Sequence, residues 1–195
     1  MKILRVSSLS LLLILGLGCK EAKKEAGEAM EEMEEAVEVV KEEVMEETIA
    51  FKMDPKSDSN VAGEVEFTEK DGNVVMTASF SGLTPGKHAI HIHEKADCSA
   101  ADGTSTGGHW NPTSEPHGKW GASEGYHRGD IGNFTADAEG NAVVEFTTDL
   151  WCLSCEDETK NITGKAVIVH QGVDDFVSQP SGAAGARISC TGIIK

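Results

Sequence analysis

The chain has 195 residues, with 17 Lys or Arg against 33 Asp or Glu, a formal charge of -16, 39% hydrophobic residues and 5% aromatic. That balance offers no basic face, which excludes nucleic-acid binding by phosphate neutralisation.

At the start, Lys2 and Arg5 precede an apolar run from Leu9 to Leu17 that ends at Gly18-Cys19. The run is too short to span a bilayer and reads as a signal peptide over residues 1–18. Its removal leaves 177 residues, enough for one domain with a core and an appendage. The appendage is residues 19–47, almost all Glu, Ala, Lys, Met and Val beyond Cys19, in which residues 20–47 hold -8 of the charge. Strong helix formers dominate it, and Ala22, Ala26, Ala29, Met33, Ala36, Val40 and Val44 share one helical face. A solvated helical spacer is the reading adopted, with a weak coiled coil or a partner-binding helix as the alternative.

From Ile49 onward the apolar period falls to two. Val61–Phe67 and Val74–Phe80 flank Asp71-Gly72 and predict an antiparallel hairpin. Further strands are predicted at Ile49–Met53, Lys87–Glu94, Ile131–Ala136, Ala142–Thr147, Lys165–His170 and Arg187–Ile194, which makes an all-β domain of eight strands over residues 48–195. Two long connections rich in Gly, Ser, Pro and Asp interrupt them, Lys95–Asp130 and Gln171–Ala186. Loops of that length in a compact domain are usually functional.

All seven histidines fall in this β region. His91 and His93 are two apart on one strand, so their rings share a face and can bracket one ion. The first long loop adds His109, His117, His127 and Asp130, three imidazoles and a carboxylate, a donor set suited to tetrahedral zinc. Coordination there would order a loop otherwise too polar to pack.

Five blocks in order then become recognisable: Gly86-Lys-His-Ala-Ile-His-Ile-His93, Gly108-His-Trp-Asn-Pro112, His127-Arg-Gly-Asp-Ile-Gly-Asn133, Val167-Ile-Val-His170 with Asp174-Asp175, and Gly185-Ala-Arg-Ile-Ser-Cys190. Together they resemble the copper/zinc superoxide dismutase family over about residues 60–195. The resemblance implies an eight-stranded Greek-key β-barrel whose two long connections are metal-binding and electrostatic loops. It implies copper ligands His91, His93, His109 and His170 and zinc ligands His109, His117, His127 and Asp130, with His109 shared. Asp174 resembles the carboxylate that hydrogen-bonds ligands of both ions, Arg187 the arginine that guides the anion, and His88 a structural histidine of the barrel. The implied activity is dismutation of superoxide to oxygen and hydrogen peroxide. Copper would alternate between two oxidation states, and His109 would release copper and take up a proton. The alternative is a copper- and zinc-binding lipoprotein of the same fold that buffers or delivers copper without turnover.

The resemblance pairs Cys98 with Cys190, a bond that the oxidising compartment implied by the leader permits. Cys19 resembles the lipid-modified cysteine of bacterial lipoproteins, which would tether the protein to a membrane of the cell envelope or periplasm through the acidic spacer. Cys152 and Cys155 fall outside the family pattern; a local disulfide, a surface metal or copper-acquisition site and a redox or partner role all stay open. A homodimer is compatible with the resemblance, which does not name its surface. The second loop holds no Lys or Arg, so the positive field for an anionic substrate is expected from Arg187, helped by Lys119 or Arg128.

Overall fold

The computed structural model describes residues 46–195. The leader, Cys19 and the spacer as far as residue 45 lie outside the described residues. Eight strands follow in chain order: β1 (Glu47–Pro55), β2 (Ala62–Lys70), β3 (Asn73–Ser81), β4 (Gly86–His93), β5 (Gly132–Ala136), β6 (Ala142–Thr148), β7 (Ala166–His170) and β8 (Arg187–Gly192). Each lies within a few residues of its predicted span. β1 and β2 run longer, because every residue from Glu47 to Met53 finds a partner between Gly63 and Glu69. A single 3-10 turn, Thr104–Thr106, is the only helical element among the described residues.

The strands are hydrogen-bonded in the order β5-β4-β7-β8-β1-β2-β3-β6, every pair antiparallel. Consecutive strands β2 and β3 join through Asp71 and Gly72, both at positive φ (50° and 74°), the backbone that a two-residue hairpin needs to match strand twist. β1 bonds to β2 along most of its length and to β8 at Asp54 and Pro55, and so joins the two halves of the sheet. β5 and β6, at opposite ends of the order, lie side by side and nearly close a barrel.

Alternation sets what goes inside. On β3, Val74, Met76, Ala78 and Phe80 are buried while the residues between them face water. They meet Val65 and Phe67 of β2, Ile90 and Ile92 of β4, Phe134 of β5, and Val167 and Val169 of β7 in one apolar cluster. Each large side chain fully buried there stabilises by about 1.5–3 kcal/mol. β4 and β7 differ from β3: β7 is buried on both faces and β4 from His88 onward. Their inner residues join the core, while Ala166, Ile168 and Cys190 form a second small cluster with Cys98 on the outer face. The long connections cover that face.

How the first connection reaches β4 is visible in its backbone bonds. β5 pairs with β4 only as far as Ile90. Beyond it the Ile92 N–H donates to the Gly129 carbonyl (2.9 Å), and the Ile92 carbonyl accepts from the Trp110 N–H (2.8 Å). His109 thereby forms a bridge beside His93. Gly129 is required by this approach, since a Cβ there would strike the Ile92 carbonyl.

Candidate metal centre

His91 and His93 stand on the outer face of β4, opposite Ile168 and Ala166 of β7, and His170 ends β7 on the same face. The bridge to His93 delivers His109 above them. One potential ligand atom from each of His91, His93, His109 and His170 lies within 4.8 Å of the others, and the same holds for His109, His117, His127 and Asp130. Both sets expected from the sequence are brought together, all seven residues are buried, and His109 belongs to both.

The remaining atoms of these rings decide which nitrogens point inward. His93 donates from Nδ1 to the Gly107 carbonyl (3.0 Å) and His170 from Nδ1 to the Gly185 carbonyl (3.3 Å), so their Nε2 atoms face each other 3.4 Å apart. His91 donates from Nε2 to Asp174 Oδ2 (2.8 Å) and His117 from Nε2 to Asp174 Oδ1 (2.9 Å). Asp174 therefore orients one imidazole of each set and selects its tautomer. Four buried imidazole nitrogens then have no hydrogen-bond partner: His91 Nδ1, His109 Nε2, His117 Nδ1 and His127 Nδ1. His117 Nδ1 lies 3.0 Å from Asp130 Oδ2 without the direction of a hydrogen bond, an arrangement of two donors facing a shared point. Orphaned buried nitrogens are costly, and an ion at the centre of each set would satisfy them. The residues present thus fit two cations.

Burial, with the neighbouring imidazoles, pushes the His93 pKa well below its ordinary value, that of His109 down to about 4 and that of His170 down to about 3. These rings are neutral near pH 7, as a ligand must be. Asp130 behaves in the opposite sense to a lone buried acid. Burial would raise its pKa, but the close His109, His117 and His127 rings, with the His127 backbone N–H, hold it far below the usual carboxylate range. His117 is raised to about 9, because its interactions with Asp130 and Asp174 outweigh burial.

Arg187 opens β8 beside this cluster, near enough that its charge lowers the pKa of both His93 and His170. Its Nη1 donates to the Gly103 carbonyl (2.7 Å) and Thr106 Oγ1 (2.9 Å), and its Nη2 to the Gly107 carbonyl (2.8 Å). Of five N–H donors, Nε–H and one on Nη2 are left without a partner among the described residues, enough to hold a small anion. The charge of Arg128 contributes to lowering the pKa of Asp157 in the β6–β7 connection, and Lys119 is exposed.

Cys98 and Cys190 are bonded across a separation of 92 residues, tying the first loop to β8. Cys152 and Cys155 are also bonded, which resolves their open reading into a local disulfide. Both ring nitrogens of His88 lie within hydrogen-bond reach of carbonyls, Nδ1 of His170 (3.0 Å) and Nε2 of Thr84 (2.8 Å), contacts in which a ring N–H donates, as expected of a barrel histidine.

Three residues that the sequence did not single out support the site. Asn133 accepts from the Asp174 N–H and donates to its carbonyl, both at 2.8 Å. Gln179 does the same for His117, both at 2.9 Å. Thr106 holds Arg187. Each acts through a contact at least 41 residues away in the chain, which leaves no periodic signal.

A family model described as copper/zinc superoxide dismutase (SODC) matches residues 61–194. Among curated proteins, superoxide dismutase [Cu-Zn] 2 of Aquifex aeolicus (strain VF5) is 34% identical over 142 residues, covering 71% of this chain and 82% of its own. Superoxide dismutase [Cu-Zn] of Caulobacter vibrioides is 37% identical over 142 residues, covering 71% and 80%. Among solved structures, a SOD-like protein from Bacillus subtilis superposes with a TM-score of 0.66 at 31% identity over 74% of this chain and 97% of its own. A double mutant of that protein, with histidine replacing one tyrosine and one proline, gives 0.67 at 32%.

Proposed function

Since this chain belongs to the copper/zinc superoxide dismutase family and is an enzyme of that class, we propose that it dismutes superoxide at the cell envelope, tethered through a lipid on Cys19. In this reading His91 Nδ1 and the Nε2 atoms of His93, His109 and His170 hold copper. The Nδ1 atoms of His109, His117 and His127, with the Asp130 carboxylate, hold zinc. The observation that carries it is the set of four orphaned buried nitrogens, distributed over two groups that share His109. When bound, copper supplies a one-electron couple that accepts an electron from one superoxide and returns it to a second, and zinc supplies fixed charge without redox chemistry.

The chain's own residues do the rest. Two superoxide ions and two protons give one oxygen and one hydrogen peroxide, so protons have to be delivered. His109 Nε2 is the atom where one is taken up, on a ring whose Nδ1 stays with the zinc set. Arg187, charged at every working pH, offers its two remaining N–H groups to the incoming anion and fixes its approach. Asp174 keeps His91 and His117 in the tautomers that both sets need.

The envelope location rests on the leader, on Cys19 at its end and on the acidic spacer beyond. Purified protein assayed for copper, zinc and stopped-flow superoxide decay tests the activity. One copper and one zinc per chain with fast decay are expected, while full copper without turnover would favour copper buffering or delivery. For the anchor, Cys19→Ser should move the protein from the membrane pellet to the soluble fraction; an unchanged distribution would sink it.

A further inference from the structure

Arg187 owes its orientation to one short stretch of the first loop, the 3-10 turn and the glycines that flank it. Two of its three acceptors are backbone carbonyls. The third is a side chain, Thr106, which is completely buried. Its hydroxyl donates to the Gly103 carbonyl (2.9 Å) and accepts from Arg187 Nη1 (2.9 Å), and His93 Nδ1 lies 3.4 Å from the same oxygen. A hydroxyl has one hydrogen and two lone pairs. Here the hydrogen is used, one lone pair faces the guanidinium and the other faces a ring of the candidate copper set. Gly107 repeats the pattern, its carbonyl accepting from both Arg187 (2.8 Å) and His93 (3.0 Å).

Because a guanidinium is planar, one acceptor permits it to pivot, while contacts at both Nη1 and Nη2 set its plane. We infer that Thr106 is a positioning residue: its buried hydroxyl, a third acceptor beside the two carbonyls, steadies Arg187 against the His93 imidazole, and so sets how tightly a small anion is held between them. The inference rests on the dismutase reading of the site. Without the hydroxyl, one Nη1 hydrogen of Arg187 is left without an acceptor and the Gly103 carbonyl loses one of its two donors, so the guanidinium is held by the Gly103 and Gly107 carbonyls alone and its hold on the anion loosens.

The test uses the full chain loaded with copper and zinc, wild type beside Thr106→Val, Thr106→Ala and Thr106→Ser. Azide, a small anion that binds without turnover, is titrated optically, and superoxide decay is followed by stopped flow. Valine keeps the shape of threonine, and alanine serves if valine disturbs folding. Both should retain wild-type metal content, bind azide roughly 3- to 10-fold more weakly, and lose rate in proportion, the effect of one hydrogen bond. Serine should restore both readouts to within about twofold, since it restores that bond. Wild-type azide affinity in Val and Ala variants with full metals would overturn the inference. So would a serine variant that retains its metals yet fails to recover, which would assign the effect to the threonine methyl, or metal loss in all three, which would make Thr106 a structural support. If wild type failed to consume superoxide while azide followed the expected order, the dismutase reading would fall and the positioning role would stand.

Discussion

His117 is the ring whose proton zinc has to displace. Interactions with Asp130 and Asp174, against the effect of burial, raise its pKa to about 9, above the ordinary 6.5. In the metal-free protein it is charged at pH 7, while His109 and His170, lowered to about 4 and about 3, are not. Zinc uptake at pH 7 should therefore release about one proton, and release should fade as pH rises through 9. Calorimetric titration in buffers of different ionisation heat measures it; zero release at pH 7 would contradict the charge state. The sign for folding follows the same logic. A raised pKa means that His117 stabilises the metal-free fold fully below pH 6.5 and loses that contribution as pH climbs through 9. The lowered rings act oppositely, opposing the fold as pH falls from 6.5 toward their own values. His109 and His127 separate by connectivity: only His109 belongs to both sets. His109→Ala should deplete both metals and His127→Ala mainly zinc, as metal analysis of the purified variants will show. Full copper and zinc in the His109 variant would remove the basis for a shared ligand.

The two long connections meet at Asp174 and His117, and the closest approach is made by Gly182. It has φ 66°, and a Cβ there would collide with the Asp174 carboxylate and the His117 ring. Gly182→Ala should push the second loop off the first at a cost of roughly 1–3 kcal/mol, from collision and backbone strain together. Zinc should leave faster, and the melting temperature of the metal-free protein should fall by several degrees. An unaltered zinc off-rate would mean that the loops tolerate separation. At this scale the sequence was readable wherever a period existed. Alternation on β3 and the hairpin at Asp71-Gly72 give β3 to within one residue at each end and place β2 beside it, and His91 with His93 declares a face of β4. Strand ends were less readable, because pairing partners set them; β8 stops at Gly192, short of the expected Ile194. The supporting contacts of Asn133, Gln179 and Thr106 were not legible at all. An amide or hydroxyl in a loop acquires meaning only from the carbonyl it meets, and those carbonyls belong to distant segments. The Cys152–Cys155 bond was one of several readings, since its spacing alone does not choose between a bridge and a metal.

For the whole molecule, a charge of -16 ought to repel an anionic substrate, and the second loop brings no cation to offset it. Only a local field can reverse this, and under the proposed function Arg187 supplies it. Charges farther away than about 8 Å are largely screened at physiological salt. Deleting the spacer should thus scarcely alter turnover, provided the cut stops at residue 45, since Glu46 pairs with Lys70 and Glu47 lies in β1. Arg187→Ile should slow the reaction markedly and flatten its decline with salt. Stopped-flow rates across ionic strength compare the two; a larger effect from the deletion would defeat the local-field account. β4 separates two kinds of dependence by alternation, with Ile90 and Ile92 in the core and His91 and His93 on its outer surface. The wall is thus finished before anything is hung on it. A newly made chain should therefore complete its barrel without copper and wait, folded and silent, until the ion is supplied. Supply of the ion, not synthesis of the protein, then sets when activity begins. Refolding in chelator, followed by tryptophan fluorescence, should reach the native signal, with activity returning on later addition of copper and zinc; a chain that folds only with the ions present would show that manufacture and loading are one event.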